Sequence, residues 1–153
     1  MASAKSVASK KYFSVEQANK TLPLVQKIVG DIVRQFQIVQ DLDSRLHKVL
    51  QRDGKRRNDD PYTEELAHTK AELESEGERL RSYQEELEHL GVELKGADGL
   101  CDFPGLKEGR EVCLCWKLGE PAVQFWHEVH TGFAGRQPIA TLSVPSRPGS
   151  RSR

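Results

Sequence analysis

The sequence predicts an α+β fold, a long antiparallel helical hairpin followed by a small antiparallel β-sheet. Three observations predict it. Between residues 25 and 50, apolar side chains recur at steps of three and four. Leucines then recur every seven residues, at 66, 73, 80 and 87. Beyond Gly91 the period falls to two, in short runs separated by glycine and proline. Helical side chains return to one face every 3.6 residues and strand side chains every second residue, so the change of period is a change of element.

Residues 1–11 are small, polar and basic and read as a flexible tail. Ser14 with Gln17 matches a capping box, and a short helix over 15–21 is expected from it. Pro23 suits a first helical turn, so a second, longer helix is expected to begin there. Its stripe is Val25, Ile28, Val29, Ile32, Phe36, Val39, Leu42, Leu46, Val49 and Leu50. The polar run around Gly54 is a break, and Asp60-Pro61 can cap the next helix, over about 61–89. The leucine heptads of that helix need a partner, most simply the first long helix folded back as a coiled-coil-like hairpin about 40 Å long at roughly 1.5 Å per residue. Glu76 puts a charge in the seam and Gly77 follows it, so a loosened or bent stretch is expected there. Ten acids face three bases from Glu64 to Glu93, an acidic outer side that reads first as a solvated face.

Gly91 stands where a helix ends. Residues 91–96, 99–105, 109–121 and 122–129 read as two to four strands, with Leu118-Gly119-Glu120-Pro121 turning between the last two. Alternation groups Val112, Leu114, Trp116 and Leu118 as one inward set, and Val123, Phe125, His127 and Val129 as the other. Residues 12–139 thus make a single domain. Residues 140–153, rich in serine, proline and arginine, read as a disordered basic tail.

The totals narrow the function. With 153 residues, 37% hydrophobic and 30% charged, the chain suits one soluble domain. Lys+Arg and Asp+Glu are equal at 23, so nucleic acid is not the expected partner. No stretch is apolar enough for a membrane span, and the start lacks a secretory apolar core. Three cysteines at uneven spacing are not a disulfide framework, and a cytoplasmic location is expected.

Chemistry concentrates after residue 100. Cys113, Cys115, His127 and His130 supply zinc-type ligands. The inward sets, however, put His127 on the face opposite the two cysteines, so no cofactor is predicted and zinc is the alternative. The same separation argues against Cys115 and His127 acting as nucleophile and base. Asp102, Glu120, His127, His130 and Arg136 form a candidate anion or ligand site at the end of the sheet. In the plainer reading His127 is a hydrogen-bonded core residue, and Arg136 pairs with Glu120, Glu128 or Asp102 to lock the Thr131–Pro138 loop.

The segments Gly99-Leu100-Cys101-Asp102-Phe103-Pro104, Gly109 to Glu120, Phe125-Trp126-His127 and Gly132 to Ile139 resemble a bacterial family catalogued as domain of unknown function 2203. Tyr12 to Asn19 with Leu22-Pro23 resembles that family's start, and Leu90 to Lys95 its helix-to-sheet junction. The resemblance runs from about residue 12 to 139. It implies a small bacterial cytoplasmic protein and no particular activity.

Two functions follow as expectations. One is a non-enzymatic interaction module that meets a protein partner, or a second copy, through its helical surface. The other is a metal-dependent or anion-binding hydrolase-like site on the C-terminal sheet. The second requires its five residues to converge on an open pocket. The first expects His127 buried and bonded, with Arg136 salt-bridged inside its loop.

Overall fold

The computed structural model describes residues 10–51 and 61–143, with the side chains of 61 and 62 excepted. Expectations for residues 1–9, 52–60 and 144–153 lie outside the described residues. Helix α1 spans Val15–Gln51 and helix α2 spans Pro61–His89. A five-stranded antiparallel sheet follows: β1 Glu93–Leu94, β2 Leu100–Lys107, β3 Arg110–Lys117, β4 Phe125–Glu128 and β5 Gln137–Pro138, in spatial order β1-β2-β3-β4-β5. Among the described residues, no helix is long and apolar enough to cross a membrane.

The capping box forms as its residues dictate. Ser14 Oγ accepts from the Gln17 amide at 3.0 Å, and Gln17 Oε1 accepts from the Ser14 amide at 3.0 Å. The helix does not restart at Pro23, which lies inside one continuous α1. An interior proline costs ~3 kcal/mol, but a single stripe crosses it. Ala18, Leu22, Val25, Ile28, Val29 and Ile32 are all buried, and breaking the helix at residue 22 would split that stripe.

Helix α2 is also unbroken through Glu76 and Gly77. The seam is closed rather than loosened there, because Gln35 of α1, itself buried, donates Nε2 to the Glu76 carboxylate and to its backbone oxygen at 3.0 Å. Gly91, at φ +89°, ends the helix and turns the chain into β1.

The core joins the near half of the hairpin to one face of the sheet. Leu80, Leu87 and Val92 meet the α1 stripe there, with Cys101, Phe103, Val112, Leu114, Trp116, Val123 and Trp126 from the sheet region. The chain before α1 is tied in as well. The Phe13 amide donates to Pro104 O at 2.7 Å, and the Phe13 ring meets Phe103 edge to face at 5.2 Å. At its far side the domain continues past Ile139. Residues Ile139–Thr141 form a 3-10 helix, Thr141 Oγ1 accepts from the Trp126 indole at 2.8 Å, and Leu142 O accepts from Lys107 Nζ at 2.8 Å.

The sheet has five strands where the sequence predicts two to four. The extra one, β5, contains Pro138, which reads as loop in sequence and is tolerated here because the strand is at the edge. The turn after β3 forms as expected, with the Glu120 amide donating to Lys117 O at 2.9 Å. The chain then needs residues 121–124 before β4 begins.

A metal-type cluster on the outer face of the sheet

The register decides what meets what. Leu114 pairs with Trp126, Cys113 with His127 and Cys115 with Phe125. Residues directly opposite one another share a face. Trp126, not Phe125, is therefore the core residue of β4, and His127 shares the outer face with Cys113 and Cys115. This overturns the inward set Val123, Phe125, His127 and Val129. Val123 is buried, but it belongs to the loop before β4, where Asn19 holds both its amide (2.8 Å to Oδ1) and its carbonyl (3.4 Å from Nδ2). Val129 is 56% exposed. Counting the strand from Val123 puts its phase off by one, and a one-residue slip exchanges the two faces.

On β2 the same face carries Asp102, opposite Cys115. His127 reaches over β3 to it, with Nε2 3.0 Å from Asp102 Oδ1, and its Nδ1 lies 2.7 Å from Glu128 O. The ligand atoms of Asp102, Cys115 and His127 all stand within 4.8 Å of one another. Although this face is turned away from the helices, its centre is dry: Asp102 is 4% exposed, Cys115 0% and His127 2%. Burial pushes the Cys113 thiol up to about 12 and the Cys115 thiol up to about 11, and the Asp102 carboxylate adds to both. The guanidinium of Arg136 acts on Cys115 in the opposite direction.

The loop after β4 provides part of the cover. Arg136 forms a two-pronged bridge to Glu120, Nη1 to Oε2 at 2.8 Å and Nη2 to Oε1 at 2.7 Å. Its guanidinium carbon also lies 4.1 Å from the Phe125 ring centre and 4.6 Å from that of Phe133. The hydrogen bonds from Arg136 hold the Glu120 carboxyl below its ordinary value. Beside this cover a cleft of about 340 Å³ reaches Asp102, Cys113 and His127, with Lys10, Lys95 and Phe133 among its walls.

The five candidates Asp102, Glu120, His127, His130 and Arg136 therefore do not converge. They divide into a buried Asp102–His127 pair and a separate Glu120–Arg136 bridge, and His130 is exposed outside both. Of the zinc alternative, Cys115 and His127 come together, Cys113 lies on the same face, and Asp102 takes the place of His130. The expected site groups Asp102 with His127, which it meets, but also with Glu120, His130 and Arg136, which lie elsewhere. The signal that could have found its place is the β2–β3 register, in which the alternation of Cys101, Phe103 and Gly105 puts Asp102 on the cysteine side.

A nucleophilic role for Cys115 does not follow from its nearness to His127. Both imidazole nitrogens already face other groups, and the thiol is fully buried.

Residues 11–139 match the model of a family described as an uncharacterized conserved protein, DUF2203. The chain belongs to that family. The match spans both helices and all five strands, so the outer-face cluster lies within the family's domain. No curated protein and no solved structure matches the chain.

Proposed function

We propose that this DUF2203 chain is a non-enzymatic protein-interaction module whose helical hairpin carries the contact surface and whose sheet braces its base. One observation supports this reading. Beyond the Gln35–Glu76 link, the hairpin closes on itself: Leu42, Val49 and Thr69 are buried, yet stand outside the cluster that joins helices to sheet. A two-helix arm of this kind holds no group of the outer-face site and leaves its flanks to other molecules. On α1, Leu24 is 50% and Ile38 43% exposed, two heptads apart and so on one side. On α2, Glu74, Glu78, Glu85, Glu86 and Glu88 are exposed. The apolar side suits a second copy of the chain, and the acidic side suits a basic protein. Sedimentation equilibrium across a concentration series tests the first. A dimer that becomes monomeric in the Leu24→Glu/Ile38→Glu double variant supports self-association. A monomer throughout moves the reading to a heterologous basic partner.

A hydrolase-like site, with zinc as its cofactor, is the second reading, favoured by the gathering of Asp102, Cys115 and His127. Its anion-binding half has little support, because the cation meant for it, Arg136, is already neutralised by Glu120. Hydrolysis of a panel of ester and phosphoester substrates, lost on His127→Gln, is the result that would favour it.

A further inference from the structure

The hydrogen bonds of His127 set a constraint that its neighbours do not resolve. Glu128 O is a backbone carbonyl and can only accept, so the proton of a neutral imidazole sits on Nδ1. Nε2 then presents a lone pair to Asp102 Oδ1 at 3.0 Å. Two acceptors facing each other in a site this dry need a proton or a cation between them. Either a second proton bridges imidazole and carboxyl, or a metal ion fills the gap.

Three further features favour the metal. A ring nitrogen that donates to a backbone carbonyl is the usual way a protein aims the other nitrogen of a metal-binding histidine. A third donor, the Cys115 sulfur, lies within 4.8 Å of both others, a position a proton-bridged pair does not require. Zinc ligands at ~2.0–2.3 Å stand about 3.3–3.5 Å apart at tetrahedral angles, so the sulfur has to close by about 1.3 Å at most and the 3.0 Å His127–Asp102 pair to open slightly. Finally, one carboxylate and one thiolate neutralise a dication, which removes most of the cost of holding it at a buried site.

We infer that Asp102, Cys115 and His127 bind one divalent metal ion of the zinc class, His127 through Nε2, with the fourth position opening toward the cleft beside Cys113. On binding, the Cys115 thiol gives its proton to solvent as the sulfur–metal bond forms. The proton held between His127 Nε2 and Asp102 Oδ1 leaves to solvent as well, and the ion takes its place. The site ties β2, β3 and β4 together at their middles. It requires neither hydrolysis nor a partner for the hairpin, so it stands apart from the interaction reading, while the hydrolase reading would need this same ion.

The test uses the full-length chain, stripped with a chelator and titrated separately with Zn²⁺ and Co²⁺. Expected are one ion per chain, a thiolate-to-cobalt charge-transfer band with four-coordinate d–d absorption, and displacement of Co²⁺ by Zn²⁺. Cys115→Ser should remove the charge-transfer band and weaken binding more than about 100-fold, beyond the 10–100-fold that loss of an outer hydrogen-bond partner gives. His130→Ala should leave both unchanged. Failure to bind either ion at one per chain overturns the assignment and leaves the proton-bridged pair. So does binding that survives Cys115→Ser or vanishes with His130→Ala. Should Cys115→Ser not fold, the wild-type spectrum decides alone: cobalt bound without a charge-transfer band overturns the assignment.

Discussion

Gln35 and Glu76 are joined across the helical hairpin by two hydrogen bonds from one amide group, one to the carboxylate and one to the backbone oxygen. This is the point where the core shared with the sheet gives way to the two-helix arm. A polar pair here satisfies itself and offers nothing to slide along, so it fixes the register of the two helices.

Gln35→Ala should therefore cost about 1–3 kcal/mol, because it removes both hydrogen bonds of the link and leaves the Glu76 carboxylate only its ion pair with Arg79. The double variant Gln35→Leu/Glu76→Leu should recover most of that loss or exceed wild type. Urea denaturation of wild type and the two variants measures both. Equal losses in the single and double variants would show that the link contributes only through packing.

The Glu120–Arg136 bridge predicts a pH dependence of definite sign. Arg136 holds the Glu120 carboxyl below its ordinary value of 4.5. A depressed carboxyl adds stability that is fully present above the unfolded value and is lost as pH falls through the folded one. The stability gap between wild type and Glu120→Gln should thus be constant near neutrality and close as pH drops below about 4. Denaturant melts at a series of pH values read it, and a gap that widens in acid would refute the assignment.

Arg136→Lys should not be a conservative change. Lysine keeps the charge but loses the two-pronged bridge and the flat contact with Phe125 and Phe133. A loss of about 1–2 kcal/mol is expected in a thermal or urea melt.

Pro23→Ala should stabilise. It restores an amide inside a continuous helix and removes a ring that opposes helical packing. Greater freedom of the unfolded chain offsets part of this, so a net gain of about 1–2 kcal/mol is expected. A lower melting temperature in the variant would mean that the ring itself is needed.

Gly99→Ala should destabilise by more than about 2 kcal/mol. Gly99 sits at φ +94°, and a methyl group there would stand 2.6 Å from Leu118 Cβ. A backbone in that region is strained for any other residue, and Leu118 is held close because its amide donates to Gly99 O at 3.0 Å. A melt within error of wild type would contradict both arguments.

Much of the fold is legible in the chain, for reasons that can be named. The capping box, the α1 stripe and the leucines of α2 are local patterns, and local patterns report local structure. Pro23 misleads because proline's local preference is weaker than the burial of six apolar residues on a continuous helix. β5 is hidden because an edge strand of two residues with a proline carries no periodicity. The site is misread for a sharper reason. β4 has Phe125 and Trp126 side by side, so alternation alone cannot choose which faces the core. Asn19, more than a hundred residues away, holds Val123 in the preceding loop and so helps to set the phase. The residue types were visible in the sequence, but their shared face was not.

The neighbour-by-neighbour order of the elements also bears on how the domain assembles. Helix pairs with following helix, and each strand with the next, so nearly all pairing closes short loops and should proceed quickly. The longest-range exceptions join the segment around the start of α1 to the sheet region, among them Phe13 with Pro104, Tyr12 with Glu111 and Asn19 with Val123. During synthesis the hairpin leaves the ribosome before the sheet, and the stripe around Val25, Val29 and Ile32, which Leu80 and Leu87 cover only in part, stays partly open until Trp116 and Trp126 have emerged. Helix α1 is thus made before the sheet and secured only after it, and a chain halted before residue 123 would leave part of that stripe open to the chaperones.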